Sequence, residues 1–225
     1  GSAYIKGACD VIYGGEWPIN SSLVQMGNAS SFVSSDLRVL DTTNPNPADS
    51  VYVHITPFAF CQGWDPAVFA HDDKGKFLGF EPLPGYFNPD NPDVFHKSAM
   101  SSKPITWPAF WPDKLDDSND PGWRGKWNGY FGKGISNADQ ESYHVLDDYQ
   151  FKKLVSGLEM PLAIAADPSR GGLGLRKTLR GLQWSNPSAE DCIFWIYDVK
   201  NIGELKLEKT VFGLNVGAAM GAVLG

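Results

Sequence analysis

The segment Asp113-Lys114-Leu115-Asp116-Asp117-Ser118-Asn119-Asp120 places five carboxyl or carboxamide side chains (Asp113, Asp116, Asp117, Asn119, Asp120) within eight residues. Calcium takes six to eight hard oxygen ligands, and an irregular loop can bring several to one point, so this loop is the candidate cation site. Its spacing is not that of an EF-hand. Asp and Asn are also turn formers and helix caps, which is the alternative reading of the same residues. Around the loop stand Trp107, Trp111, Trp123, Trp127 and Tyr130. Flat rings with a polar edge stack on sugar faces, which makes these five the candidate glycan platform; rings that fasten a long loop to a core give the same composition. Asp139, Glu141, Asp147 and Asp148 flank the aromatic loop and could supply the two carboxyls of a polysaccharide hydrolase, a chemistry that depends on a separation across a cleft that spacing cannot establish. His54, His71, His96 and His144 never fall at the spacings of a zinc pair. Gly-x-Ser-x-Gly is absent, and Gly171-Gly172-Leu173-Gly174-Leu175 has no Gly-Lys-Ser/Thr after it and reads as a flexible turn.

The bulk composition narrows the function classes. The chain has 225 residues, a net charge of -7 and a pI near 5.0, which disfavours docking on nucleic-acid phosphates and suits cation binding and solubility. No apolar run is long enough to cross a membrane as a helix, and the basic residues do not cluster beyond pairs such as Lys152-Lys153, so neither membrane insertion nor a polybasic anchor is expected. Cys9, Cys61 and Cys192 lack the spacing of a zinc or redox motif; one bridge plus a spare thiol and three buried unpaired cysteines are both compatible with them. The opening Gly1-Ser2-Ala3, without Met or a signal peptide, reads as an artificial or processed beginning.

These residues need a frame. Glycine and proline together are 40 of the 225 residues (24 Gly, 16 Pro), too frequent for long helices. The chain is therefore expected to be one mainly β domain over 1–225, an antiparallel β-sandwich with a Pro/Trp-rich insertion at about 62–135 and at most one or two short helices. Two or three short strands are expected in the first forty residues, including Val11-Ile12-Tyr13 and Leu37 to Leu40, with the polar stretch Asn28 to Ser35 between them. Thr42 to Ser50 reads as a turn or loop, and Val51 to Ile55 alternates as a strand. Ala138 to Leu154 is the best helix candidate. Leu173 to Trp184 reads as a strand, and Cys192 to Val199 as a strand buried on both faces. Asn201-Ile202-Gly203-Glu204 supplies turn chemistry, so Leu205 to Val216 is expected to fold back on the preceding strand as a hairpin.

The stretch Trp184 to Asp191, with the strand, the Lys200-Asn201-Ile202-Gly203 turn and the strand that follow it, resembles a β-sandwich segment of large secreted proteins of Bacteroidota-like bacteria, many of which end in a C-terminal sorting domain. Trp127 to Gly132, with Asn137 to Glu141 and Asp147-Asp148 behind it, is similar to N-terminal regions of the same group, and the likeness covers about 105 to 216. It implies an extracellular or cell-surface setting and no particular activity. It also implies an aspartate-rich calcium turn after Val216, where this chain has Gly217-Ala218-Ala219-Met220-Gly221 instead. The expected role is a structural or interaction module of a larger assembly, with the apolar Val211 to Leu224 tail and the buried-looking strands pairing with a protein partner, neighbouring domain or subunit. A carbohydrate-binding module and a polysaccharide hydrolase are the alternatives.

Overall fold

The computed structural model describes residues 4–5, 13–17, 24–27, 30–40, 52–55, 58–60, 80–91, 98–149, 161–215 and 219–220. Its strands are β1 (Tyr4–Ile5), β2 (Tyr13–Trp17), β3 (Val24–Gly27), β4 (Ser30–Leu40), β5 (Tyr52–Ile55), β6 (Phe58–Phe60), β7 (Glu81–Pro82), β8 (Ala99–Met100), β9 (Asn128–Gly129), β10 (Gly132–Lys133), β11 (Gln140–Asp147), β12 (Leu175–Gln183), β13 (Ile193–Asn201), β14 (Glu208–Asn215) and β15 (Ala219–Met220). Every pairing among them is antiparallel. The central sheet runs β13-β12-β11-β7, with β8 also on β11; a second runs β14-β4-β5, with β6 on β4; a third runs β1-β2-β3-β15. The expectation of a mainly β, antiparallel fold holds. Among the described residues no helix is long and apolar enough to cross a membrane.

Alternation assigns the two faces of the central sheet. In register, Leu146, Lys177 and Val199 share one face with His144, Leu179 and Tyr197, while Tyr143, Arg180 and Ile196 share the other with Glu141, Leu182 and Phe194. The first face meets the second sheet: Lys177 Nζ donates to Ser31 Oγ at 2.6 Å, and the Tyr197 and Phe212 rings lie 5.3 Å apart. The opposite face is covered by the proline- and tryptophan-rich segment. Here Trp111 lies against Tyr143 (5.7 Å) and edge-on to Trp127 (5.6 Å, 87°), and Trp107 tilts onto Trp127 at 5.5 Å. Tyr86, Ala99 and Val145 complete this core. Three short 3-10 turns, Pro104–Thr106, Pro112–Lys114 and Pro121–Trp123, carry the chain over it, each opening on a proline whose fixed φ and missing N–H suit a first helical position.

Four expectations are corrected. Gln140 to Asp147, placed within a helix over Ala138 to Leu154, is strand β11, and residues 150–154 lie outside the described residues. A strand covered on both faces buries every side chain, so Gln-Glu-Ser-Tyr-His-Val-Leu-Asp shows no apolar alternation. The polar stretch to Ser35 belongs to β4, because Ser31, Ser34 and Ser35 are buried and Ser35 Oγ donates to the Glu208 carbonyl at 2.8 Å. β13, expected to be buried on both faces, is a sheet edge with Phe194 48% exposed. The hairpin after Asn201 does not form, since β14 pairs with β4 in the other sheet. The turn is pinned away from β13: Ile202 N donates to the Gly174 carbonyl and Glu204 N to the Ala163 carbonyl, both at 2.7 Å, while Asn201 Oδ1 accepts from Gly203 N at 2.9 Å. At Gly174 (φ +79°) a Cβ would sit 2.8 Å from Gly203 Cα, so only glycine allows that approach.

Removing the Trp111 ring, 1% exposed, opens a cavity between cap and sheet. Trp111→Ala is expected to lower unfolding free energy by about 3–5 kcal/mol. The half-buried Trp123→Ala should cost no more than about 1.5 kcal/mol, chiefly a hydrogen bond. Urea titration followed by far-UV circular dichroism distinguishes the two; equal costs would contradict the placement of Trp111 at the centre of the cap.

Candidate functional site

Beneath the cap, β11 and β12 aim charged groups at one another. Arg180 Nη1 donates to Glu141 Oε1 at 2.5 Å and to the Asn128 carbonyl at 2.8 Å, with its guanidinium 4.0 Å from the Tyr143 ring centroid. Glu141, fully buried, also accepts from Trp127 Nε1 (2.9 Å) and the Tyr130 backbone N–H (2.8 Å). Both carboxylate oxygens are thus held by donors of the cap and of β12. Tyr143 OH donates to Asp113 Oδ2 at 3.2 Å, and Asn128 Nδ2 reaches both Asp113 oxygens at 3.1 and 3.2 Å. Burial, with the Asp113 charge adding to it, raises the Tyr143 phenol far above its ordinary range.

A second charged group lies at the far end of β11. Asp147 Oδ2 accepts from Arg176 Nε and Nη2, both at 3.1 Å, and Asp147 Oδ1 lies 2.7 Å from Arg170 Nη2, a close ion pair without hydrogen-bond alignment. Arg170 Nη2 also donates to Asp148 Oδ1 at 3.0 Å, and Asp148 accepts from the Leu173 and Leu175 backbone N–H groups at 2.7 and 3.0 Å. Gly171 to Leu175, expected to be a flexible turn, is a buried bend that leads into β12 and wraps on this carboxylate: at Gly172 (φ +78°) a Cβ would fall 2.4 Å from Asp148 Oδ1. Burial, with Asp147 adding to it, pushes Asp148 up to about 7 against the pull of its amide donors and Arg170. On the opposite face of the sheet, burial pushes Lys177 down to about 7, with the Phe80 ring centroid 4.4 Å from its ammonium.

The aspartate loop is tied to its own surroundings. Asp117 accepts from Lys133 Nζ (2.9 Å), Trp123 Nε1 (2.7 Å) and the Asn119 and Asp120 backbone N–H groups (3.0 and 3.2 Å), and these donors, Lys133 foremost, hold its carboxyl well below the usual range. Asp120 accepts from Lys126 Nζ at 2.6 Å and Asp113 from Asn128 and Tyr143, while Asp116 and Asn119 are exposed. Among the described residues no group of three or more His, Cys, Asp or Glu side chains is placed to hold a metal ion. The five aromatic residues separate as well: Trp111 and Trp127 are core, Trp107 and Trp123 half-buried against it, and Tyr130 51% exposed beside Phe131 at the β9–β10 hairpin. Of the four carboxylates considered for hydrolysis, Glu141, Asp147 and Asp148 are buried in ion pairs, and Asp139 accepts from Ser185 on the surface. Cys192, a buried residue in the reading of three unpaired cysteines, is instead an exposed free thiol, because it sits in the turn before β13; His71, His96, Cys9 and Cys61 lie outside the described residues.

The feature that residue-by-residue reading misses lies at the outer edges of two sheets. Among the described residues β13 ends the central sheet and β14 ends the second, and the Tyr197–Phe212 contact sets them on the same side of the molecule. They expose Phe194, Val211 (54%), Phe212 (44%) and Leu214 (52%). An apolar run on an edge strand reads like a core strand, because periodicity does not report what lies beside it. Compared with family models, with curated proteins and with solved structures, the chain matches none.

The two buried groups displaced to about 7, Asp148 and Lys177, act in opposite directions. Asp148 binds its proton more tightly in the folded chain, with a folded value of about 7 against 3.8, so stability falls as pH rises between them. Lys177 binds its proton less tightly when folded, about 7 against 10.5, so stability rises with pH above 7. Above about pH 10 the raised phenols of Tyr86, Tyr143 and Tyr197 turn the curve down again. The melting temperature is therefore expected to pass through a minimum near neutrality, with the acid limb flattened in Asp148→Asn and the alkaline limb in Lys177→Met. A single maximum near neutrality in thermal scans would contradict this.

Proposed function

We propose that the chain is a structural interaction module of a larger extracellular assembly, docked to its neighbour through the open edges of β13 and β14. The observation that carries this reading is the pair of terminal strands on one side of the molecule, with Phe194, Val211, Phe212 and Leu214 exposed along them. A strand edge offers unpaired backbone N–H and C=O groups, and a partner strand that adds to it gains a ladder of hydrogen bonds plus pockets for alternate side chains. Edges not used in this way are commonly blocked by charge, proline or a bulge. Here the blocking features are limited: Asp198 beside the middle of β13 and Lys200 near its end, and at the start of β14 a register shift at Lys209, whose φ is +47°. From Val211 to Leu214 the edge is uncharged.

The aromatic loop supports the same reading by elimination. With Trp111 and Trp127 engaged in the core, a glycan platform would lack two of its four tryptophans, whereas the sheet edges stay accessible. The extracellular setting is drawn from the resemblance over about 105 to 216. Val211→Lys/Leu214→Lys alters only exposed positions and leaves the core intact. Extracted from its source without denaturant, the wild-type protein should size as a complex larger than its own chain, and the variant as a free chain with an unchanged circular dichroism spectrum. A variant that stays in the complex would sink the assignment of these edges.

A further inference from the structure

We infer that the partner of this side of the molecule is a second copy of the same chain, joined about a two-fold axis that extends both sheets across the dimer; the inference rests on the proposed role of the two edges. Two strands related by a two-fold perpendicular to their sheet pair antiparallel, with the residue on the axis facing its own copy and its neighbours paired symmetrically on either side. The midpoint of β13 (Ile193–Asn201) is Tyr197, and Phe212 lies near the middle of β14 (Glu208–Asn215). These two residues are the ones whose rings meet, 5.3 Å between centroids. One axis running alongside that contact, midway to the partner's strands, passes near the middle residue of each edge strand, so one partner can extend both sheets at once. A single foreign strand would cap only one of them.

The register that follows is compatible throughout. In β13, Trp195 faces the partner's Val199, Ile196 the partner's Asp198, and Phe194 the partner's Lys200, which sets an ammonium beside an aromatic ring twice, once on each side of the axis. In β14, Val211 faces the partner's Gly213 and Thr210 the partner's Leu214. No like charges stand opposite each other. The strands themselves carry Asp198, Lys200, Glu208 and Lys209, which balance to zero, whereas the whole chain carries -7. Two copies that repel elsewhere can meet here without net repulsion.

The pairing of Phe194 with the partner's Lys200 gives a test that separates an interface from a folding role. Phe194 is 48% exposed and touches Trp184, a contact that Phe194→Lys and Phe194→Glu remove alike. In the dimer the first substitution sets two ammonium groups opposite each other and the second creates an ion pair. Sedimentation equilibrium of the wild-type chain should show the mass rising with concentration from 24.6 kDa toward twice that value. Phe194→Lys should weaken association at least about tenfold, Phe194→Glu should leave it within about threefold, and Phe194→Lys/Lys200→Glu should restore it. A mass of one chain at concentrations up to about 0.2 mM, or equal weakening by both Phe194 variants, would overturn the assignment of a second copy. If the wild-type chain is a monomer in this experiment while Val211→Lys/Leu214→Lys still releases the native complex, the edges are an interface for a different protein and the second-copy inference alone falls.

Discussion

A fully buried carboxylate, with the guanidinium of the neighbouring strand beside it, anchors the proline- and tryptophan-rich segment on the central sheet. Glu141 leaves water entirely, a transfer that costs several kcal/mol unless the charge is paired and its remaining lone pairs are occupied. Arg180 from the neighbouring strand, the Trp127 indole and the Tyr130 amide supply those partners, and the last two belong to the irregular segment. The charge on the sheet is therefore satisfied only when the proline- and tryptophan-rich chain lies in its observed place. Trp111 and Trp127 bring the apolar burial that drives the segment down, and the polar contacts fix where it stops.

From that constraint follows the division of labour among the acidic residues. Asp147 and Asp148 tie the end of β11 to Arg170, Arg176 and the Gly172 turn, and Asp117 and Asp120 tie the cap's outer loop to Trp123, Lys126 and Lys133. The most chemically suggestive side chains are engaged in holding irregular backbone in one conformation, which a long loop requires when regular ladders are absent. Lys177 does the equivalent on the other face, reaching Ser31 across the space between the sheets. Along the flanks of β13 and β14 the outward side chains Phe194, Val211, Phe212 and Leu214 are apolar.

Much of the fold was legible in the sequence, and what escaped did so for identifiable reasons. β5 and β12 were readable because Val51 to Ile55 and Leu173 to Trp184 carry β-branched and apolar residues in the expected rhythm, and the observed strands Tyr52–Ile55 and Leu175–Gln183 fall within them. β11 was not, because its alternation is of ion pairs and hydrogen bonds rather than of apolar side chains. The Leu205 to Val216 segment was recognised as a strand but assigned to the wrong neighbour: whether a chain turns back on itself or crosses to another sheet depends on tertiary contacts such as Gly174 against Gly203. The cluster of tryptophans announced an organised loop, but which rings face the sheet is set by the backbone path between prolines. The Glu141–Arg180 pair joins residues 39 apart in sequence and carries no motif.

The dependence of the cap on this pair is tested most directly by a double-mutant cycle of Glu141→Gln and Arg180→Met in equilibrium urea unfolding, with Trp fluorescence reporting on the cap and far-UV circular dichroism on the sheets. Each single substitution leaves one buried charge without its partner and should cost about 3–5 kcal/mol, whereas the double variant should recover a large part of that loss, giving a coupling of at least about 2 kcal/mol. Additive losses, with fluorescence unchanged in both single variants, would contradict a cap held in place by the buried charge.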